Sequence, residues 1–416
     1  MSIVQKTLKR IRLRYRAITQ SIAFIPVLIA IGFLLLSFLL IAIDQSDFGI
    51  EIKAGLPLIS LKDAATARYI ASTIAAGIIS LLVFSFSMVM ILLNQAASKM
   101  SNRVLGSMIG NRFQQTVLGF YVGTIVYALF LLSTIRDTDS GIYIPAISIY
   151  VLMMLTVVDI FLFIYFLHYV TQSVKYEVII DRVHDKVVDA MEDLYLGKEQ
   201  PDECISIPNG IIVNAPQSGY YQGFVKNDLI QICNNHDIVV QILPAIGSYV
   251  IQDTPVLIIK AKGAVENSIL EQCYLKLDFF DGQPIESNPV YGFHQLVEIA
   301  VKAMSPGVND PATAVISLNS LADLISLRLK YFPVSIFKDD GTIRIITNEL
   351  SVAEILRLSF LPIWDYAKHD RIVMNGLLAV LYQLETKSKG TSFHLEIDYM
   401  IQLVNKSLRK IEENNH

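Results

Sequence analysis

The segment from Ile70 to Leu93 contains no charged residue, and it constrains the fold more than any other part of the chain. A helix needs about 20 consecutive, mainly apolar residues to cross the hydrocarbon core of a bilayer. The uncharged segment meets that length, and a helix satisfies its own backbone hydrogen bonds in lipid. The sequence therefore predicts a membrane-spanning helix within residues 66–101.

Polar side chains recur at every seventh position along this predicted helix. The positions are Thr73, Ser80, Ser87, Asn94 and Ser101. Because a helix turns once in 3.6 residues, a seven-residue repeat drifts by only ~20° per step and forms one polar seam. Two interpretations stay open: the seam is a contact between membrane helices, or it lines a polar path through an oligomer. Two further hydroxyls of this helix, those of Ser72 and Ser85, lie off the seam.

Three more apolar segments bring the number of predicted spans to four. They cover residues 21–43, 115–135 and 143–171. A hydrophobic content of 53% with 17% charged residues is typical of a membrane protein with a large water-soluble part. We predict a four-span domain over residues 21–172. In its third span, Gly119 and Gly123 have the spacing that favours close contact between helices.

The distribution of charge predicts that both termini lie in the cytoplasm. Residues 1–20 form a basic arm, and the loop between the first two spans is mildly acidic. Lys99, Arg103 and Arg112 follow the second span with no acidic residue among them, so they would surround the inner mouth of a path. Membrane lipids are the expected partner of the basic arm. A net charge of −4 gives no overall attraction to nucleic acid.

One acidic residue lies deep inside a predicted span. Asp159 falls near the middle of the fourth apolar segment. An ionisable group in lipid is costly, and such residues often mark ion or proton pathways. The alternative is a carboxyl group that is protonated or that bonds to a hydroxyl of a neighbouring helix. We therefore group Asp159 with the seam residues as a candidate for the lining of a path or for a helix interface.

The second half of the chain reads as a cytoplasmic α+β part. Residues 173–200 predict an amphipathic connecting helix, and residues 264–416 predict a mainly helical domain with one β-hairpin. Between them, residues 201–263 alternate short β runs with turn residues. APQSGYYQGF and PAIGSYVIQDTPVLII resemble the two halves of the barrel-sandwich modules of biotinyl, lipoyl and membrane-fusion-protein domains. The resemblance implies a small β-barrel-like module, here without a lysine to carry a cofactor.

The most unusual motif of the chain is SPGVNDP, which interrupts a helical pattern. Its candidate site residues are Ser305, Pro306, Gly307, Asn309, Asp310 and Pro311. A purely local interpretation is available, because Ser-Pro-Gly and Asn-Asp-Pro are turn signals. Asp310 would then cap the next helix, with Pro311 at its first position.

The longer run YGFHQLVEIAVKAMSPGVNDPATAV resembles the signature of a bacterial membrane-protein family, domain-of-unknown-function family 2254. LVFSFSMVMILLNQAASKMSNRVLGSM and QTVLGFYVGTIVYALFLLSTIR resemble the second and third spans of the same family. The resemblance implies a multi-pass protein of the bacterial plasma (inner) membrane with a large C-terminal domain in the cytoplasm. It implies no activity.

The sequence contains no recognisable set of catalytic residues, so we do not expect an enzyme. His294 and Glu298 are four residues apart on one helix but have no recognisable third ligand, and we predict no metal site and no cofactor. Three cysteines are too few and too far apart for a disulfide framework. We predict a homo-oligomeric channel or transporter for ions or small solutes, controlled by its cytoplasmic half. The alternative is a membrane-anchored sensor or scaffold whose cytoplasmic domain binds a partner or small ligand.

Overall fold

The computed structural model of the chain describes residues 21, 23–48, 51, 63–99, 112–138, 141–195, 210–279, 285–391 and 393–414. The chain divides into two compact units, with the main boundary between Lys175 and Tyr176. We call them the N-terminal unit and the C-terminal unit. The predicted basic arm (residues 1–20), Ser101 and Arg103 lie outside the described residues.

Four long helices build the N-terminal unit. They are α1 (Phe24–Gln45), α2 (Ala64–Lys99), α3 (Arg112–Thr134) and α4 (Ala146–Ser173). All four are long and apolar enough to cross a membrane, which confirms the prediction of four apolar helices. Two short antiparallel strands, β1 (Arg136–Thr138) and β2 (Gly141–Tyr143), lie between α3 and α4 in the chain.

Two glycines of α3 allow α1 to approach closely. A Cβ atom at Gly119 would lie 2.6 Å from Cδ1 of Ile29, and one at Gly123 would lie 2.7 Å from Cγ of Phe33. Because the two glycines are four residues apart, they share one face of α3. Any larger residue there would force the helices apart, so the glycines set the α1–α3 distance.

Asp44, near the end of α1, fixes the beginning of α4. Its buried carboxylate accepts hydrogen bonds from the backbone N–H of Ile147 at 3.1 Å and of Ser148 at 3.0 Å. It also accepts one from the Ser148 hydroxyl at 2.6 Å. The first N–H groups of a helix lack partners within the helix and favour a negative charge. The carboxylate therefore satisfies backbone donors that would otherwise be buried without an acceptor.

Eight helices belong to the described part of the C-terminal unit. They are α5 (Tyr176–Leu194), α6 (Lys226–Asn235), α7 (Asn267–Tyr274), α8 (Pro289–Ala303), α9 (Pro311–Arg328), α10 (Val352–Ala367), α11 (Arg371–Ser388) and α12 (His394–Asn414). Buried Leu, Ile, Val and Ala side chains line the facing sides of α8 to α12. The burial of this apolar surface holds the helices together.

Two sheets complete the C-terminal unit. The strands are β3 (Ile211–Asn214), β4 (Gly219–Phe224), β5 (Ile238–Ile242), β6 (Tyr249–Val250), β7 (Pro255–Ala261), β8 (Leu277–Phe279), β9 (Ile336–Asp339) and β10 (Thr342–Ile346). One sheet has the order β3-β7-β5-β10-β9, in which only β5 and β10 pair in parallel. The other has the order β6-β4-β8 and is antiparallel. Helices α6 and α7 pack on the larger sheet.

The prediction of a β-barrel-like module over residues 201–263 is wrong. Strands β3, β5 and β7 from that segment form an open sheet, and β10 from much later in the chain extends it beside β5. The segment also contains helix α6 between β4 and β5. The turn pattern located the strands, but it did not reveal that the partner of β5 lies about a hundred residues away.

Two cysteines lie in the core of the larger sheet. Cys233 and Cys273 are buried and free. Burial raises the pKa of the Cys233 thiol to about 12 and of the Cys273 thiol to about 11. Both thiols are therefore protonated at neutral pH and act as small apolar core groups. Cys204 lies outside the described residues.

Candidate functional site

Four polar side chains meet inside the N-terminal unit. They are Ser85 of α2, Tyr121 and Thr124 of α3, and Asp159 of α4. All four residues have an exposed fraction of 0%. We call this set the intramembrane polar cluster. It lies in the middle of the helices, because Asp159 is the central residue of the 28-residue α4.

The cluster forms because α3 has two different faces. Tyr121 and Thr124 are three residues apart and share one face, whereas Gly119 and Gly123 lie on the other. On the polar face, the Thr124 hydroxyl lies beside the Asp159 carboxylate. The Tyr121 hydroxyl lies beside the Ser85 hydroxyl and within electrostatic range of Asp159. Apolar side chains of Ile78, Val117, Phe166 and Val170 pack with Tyr121 in one buried apolar cluster.

The oxygen atoms of the cluster are unsatisfied. Neither carboxylate oxygen of Asp159 makes a hydrogen bond of good geometry with the residues that the structure describes, although the Thr124 hydroxyl lies beside it. The same holds for the hydroxyls of Ser85, Tyr121 and Thr124. An isolated carboxylate in an apolar medium is so costly that it normally takes up a proton or a counter-ion. The arrangement can therefore hold a proton or a small cation, because carboxylate and hydroxyl oxygens are hard ligands.

The polar seam of α2 lies on a different face from the cluster. Thr73, Ser80, Ser87 and Asn94 are exposed on the surface of the single chain. The Ser80 hydroxyl donates to the carbonyl oxygen of Ala76 at 3.0 Å, and the Ser87 hydroxyl donates to that of Val83 at 2.9 Å. Both hydroxyls therefore satisfy their donors within the helix. Of the predicted path residues, only Asp159 belongs to the cluster.

Sequence reasoning missed Ser85, Tyr121 and Thr124 as members of the site. A signal for Ser85 was present in the alanines of α2. Buried residues recur at helical spacing along one face, namely Ala64, Ala67, Ala71, Ala75 and Ile78. Small residues at this spacing mark the packing face of a membrane helix, and that face continues to Ser85. Tyr121 and Thr124 could be assigned only once the direction of α3 relative to α4 was known.

The predicted basic mouth is only partly described. Arg112 is the first residue of α3 and its side chain is exposed. Lys99 is the last residue of α2, but its side chain, like all of Arg103, lies outside the described residues. A common mouth formed by the three residues stays a prediction.

The SPGVNDP motif forms a local helix-to-helix turn in the C-terminal unit. The backbone N–H groups of Val308 and Asn309 both bond to the Ser305 carbonyl oxygen at 2.9 Å. Asn309 has a positive φ of 48°, which asparagine tolerates better than most residues. Asp310 accepts hydrogen bonds from the backbone N–H of Thr313 at 3.1 Å and from its hydroxyl at 2.7 Å.

These contacts give each polar residue of the motif a structural role. Pro311 is the first residue of α9, where its missing N–H costs nothing. Pro306 and Gly307 are exposed, and a Cβ atom at Gly307 would meet open space. The motif ends α8, turns, and caps α9, as the local interpretation proposes.

One group among the described residues has the composition of a metal site. Glu385, His394 and Asp398 each place a ligand atom within 4.8 Å of the others. However, Nδ1 of His394 already lies 2.9 Å from the Ser388 hydroxyl, and its Nε2 lies 3.8 Å from the Asp398 carboxylate. The group is only partly buried, and it fits a hydrogen-bonded hairpin between α11 and α12.

The four apolar helices and the buried acidic site define an integral membrane protein with a large additional α+β unit. The chain belongs to the family described as "Predicted membrane protein (DUF2254)", whose model matches residues 19–383. This confirms the resemblance drawn from the SPGVNDP region.

Relatives of the chain occur in mycobacteria. It is 24% identical over 356 residues to the uncharacterized protein Mb1321c of Mycobacterium bovis, a match that covers 81% of this chain and 67% of the relative. The uncharacterized protein Rv1290c of Mycobacterium tuberculosis is similar to the same extent. No solved structure matches. The comparisons therefore establish a membrane protein and its family and leave its function open.

Proposed function

We propose that this protein moves protons or a small monovalent cation across a bacterial membrane, with Asp159 as the central binding group. The observation that carries the proposal is the carboxylate at the midpoint of α4, which is fully buried and has no hydrogen-bond partner among the described residues. Ionisable residues inside membrane helices are rare, and they recur in ion pathways and proton relays.

The neighbours of Asp159 suit a bound cation better than an anion. The three hydroxyls of the cluster add oxygen ligands, and the described part of the cluster contains no basic side chain. A cation must be held strongly enough to enter and weakly enough to leave. One carboxylate with neutral hydroxyls offers such intermediate binding, whereas two carboxylates would bind more tightly.

The seam of α2 supports a second part of the proposal, assembly of several copies. Thr73, Ser80, Ser87 and Asn94 form a polar stripe on the outside of the single chain. Small and polar residues at that spacing mediate contact between membrane helices. We therefore assign the seam to a contact between copies in a homo-oligomer, with the C-terminal unit on the cytoplasmic side as the charge pattern predicts.

The proposal is tested by ion flux in liposomes that contain the purified full-length protein. A pH-sensitive dye inside the vesicles reports proton movement, and a proton, Na⁺ or K⁺ gradient is imposed in separate runs. In the Na⁺ and K⁺ runs a protonophore lets protons exchange for the moving cation, so the same dye reports its flux. We expect flux with at least one gradient, and a loss of tenfold or more in Asp159→Asn, because the amide cannot bind a proton or a cation in the same way.

Two further variants separate a binding role from a packing role. Thr124→Val removes a hydroxyl beside Asp159 at similar volume, and we expect reduced flux in it. Ser80→Ala removes an exposed hydroxyl of the seam and serves as the matched control, with unchanged flux per assembled protein. Wild-type protein that passes none of the three cations contradicts the proposal. So does Asp159→Asn protein with wild-type flux.

A further inference from the structure

The C-terminal unit contains a cavity of about 510 Å³. Its lining comes from the end of α5, strand β4, the start of α6, the segment after β5, strand β8, the start of α8, and β9 with the segments on both sides of the β9–β10 hairpin. Its volume lies in the range of about 300–1,000 Å³ that is usual for small-molecule sites. The cavity lies wholly within this unit and is independent of the intramembrane polar cluster.

Aromatic rings form part of the cavity wall. Tyr195, Phe224 and Phe337 line it. The rings of Phe224 and Phe337 meet edge to face, with their centres 5.5 Å apart. Nζ of Lys226 lies 4.9 Å from the centre of the Phe337 ring, so this wall already holds one ammonium group of the chain itself. Aromatic faces attract cations through their quadrupole.

The charges of the lining are mainly negative. Asp193 and Asp278 are exposed at the cavity, and Glu349 is partly buried in it. Glu286 is also exposed there, but it pairs with Nζ of Lys186 at 3.4 Å. Lys226 is the one basic residue among the lining residues that the structure describes. Burial raises the pKa of the Glu349 carboxyl group to about 7, against the opposing effects of Arg328 and of a hydrogen bond with Thr347. The cavity thus contains a carboxyl group whose ionised form lacks solvation and is not fully compensated by Arg328.

The start of α8 offers little to an anion, although helix N-termini often bind anions. Pro289 is its first residue and has no N–H. The backbone N–H of Tyr291 is bonded to the carbonyl oxygen of Asn288 at 3.0 Å. Neither of these two positions offers a free N–H to an anion, and we base the preference of the cavity on its carboxylates and rings.

We propose that the cavity binds a small organic cation, an ammonium group carried on an apolar body. The ammonium group pairs with the Glu349 carboxylate, and the apolar body packs against Tyr195, Phe224 and Phe337. Such a ligand adds to the partial compensation that Arg328 gives the Glu349 carboxylate. Binding there gives the C-terminal unit a sensory role, whether or not the N-terminal unit transports ions.

The groups that face Glu349 predict how binding depends on pH. Arg328 of α9 stays charged, and Tyr195 and Tyr221 stay neutral because burial raises the pKa of both phenols. Glu349 is then the group that titrates near pH 7, and only its ionised form pairs with an ammonium ion. Affinity should therefore rise about tenfold per pH unit below pH 7 and level off above it.

The experiment compares three probes of similar shape and different charge: phenethylamine, 2-phenylethanol and phenylacetate. Choline and spermidine extend the ammonium series. Full-length protein in detergent is titrated by calorimetry at pH 8, and its thermal unfolding is followed with each probe at up to 10 mM. We expect phenethylamine to bind at least tenfold more tightly than 2-phenylethanol, and phenylacetate to give no heat.

Two variants locate the site. Glu349→Gln should weaken phenethylamine binding tenfold or more and abolish its pH dependence. Glu271→Gln changes an exposed carboxylate of α7 outside the cavity and should bind like the wild type. Phenylacetate binding tighter than phenethylamine overturns the proposal, as does the absence of binding by all three ammonium probes. Wild-type affinity in a folded Glu349→Gln protein also overturns it.

Discussion

Two buried carboxylates of the N-terminal unit stand in opposite environments. Asp44, at the end of α1, has an exposed fraction of 1% and accepts three hydrogen bonds from Ile147 and Ser148. Asp159, at the middle of α4, has an exposed fraction of 0% and no hydrogen-bond partner among the described residues. Burial alone does not distinguish them, but the partners do.

The difference separates a structural acid from a candidate functional one. Asp44 compensates the first N–H groups of α4, so its charge stabilises the fold. Asp159 has only neutral hydroxyls such as that of Thr124 beside it, so its ionised form destabilises the fold unless a proton or cation binds. We infer that the protein keeps an unpaired acid at this position because a proton or cation binds to it. Measurements of stability and of ion flux on variants of Asp44 and Asp159 can test that view.

The largest expected effect is on Asp44. Asp44→Ala should lower the free energy of unfolding by roughly 3 kcal/mol, because it leaves three buried donors without their acceptor. The measurement is reversible unfolding of the full-length protein in detergent mixtures. Asp47→Ala, an exposed position just beyond α1, is the control and should change stability little. Equal stability of the two variants would show that Asp44 does not stabilise the fold through these hydrogen bonds.

The next effect concerns the tight face of α3, opposite the polar cluster. Gly123→Ala should cost about 1 to 3 kcal/mol, because the new methyl group would lie 2.7 Å from the Phe33 ring. Gly32→Ala on α1 meets nothing within 4 Å and should be neutral or slightly stabilising. Thermal unfolding of both variants measures the difference. If Gly123→Ala matches Gly32→Ala, α1 is free to move away from α3.

Asp310 extends the comparison to an acid of the C-terminal unit with a capping role. Asp310→Ala should lower stability by about 1 kcal/mol through loss of the cap on α9, and Asp310→Asn should lose only a fraction of that. Thermal unfolding of the full-length protein reports both. Unchanged stability in the Ala variant would show that the cap is not what Asp310 contributes.

The smallest expected effect on stability is at Asp159 itself. Asp159→Asn should change the free energy of unfolding by less than about 1 kcal/mol, because it breaks no hydrogen bond among the described residues and removes an ionisable group from an apolar site. The same protein should lose ion flux. A loss of stability as large as that of Asp44→Ala would show that Asp159 has a structural partner and would place the two acids in one class.

Much of the N-terminal unit could be predicted from sequence. Length and apolarity alone located the four helices, since a bilayer requires both. The GxxxG spacing predicted the face of α3 on which Gly119 and Gly123 allow close contact with α1. The seam was predicted as a polar stripe with two open interpretations, because periodicity defines a face without stating what that face meets.

The C-terminal unit shows where sequence patterns lose information. Turn residues indicated short strands in residues 201–263, yet the barrel was wrong because β5 pairs in parallel with β10, which lies far along the chain. The cavity is likewise built from segments that are far apart in the chain, since its lining includes residues of α5, β4, α8 and the β9–β10 region. No local sequence motif predicts a site whose residues come from segments so far apart.

The sequence by itself determined the membrane class of this protein, its four apolar helices, the position of Asp159 near the middle of the fourth, and the capping turn at SPGVNDP. Each of these depends on neighbours along the chain or on the length that a bilayer demands. Only the tertiary structure decided that Ser85, Tyr121 and Thr124 meet Asp159, and that Glu349 lies in a cavity beside aromatic rings. Such contacts depend on how helices and strands are rotated and paired, and packing between distant segments sets those angles.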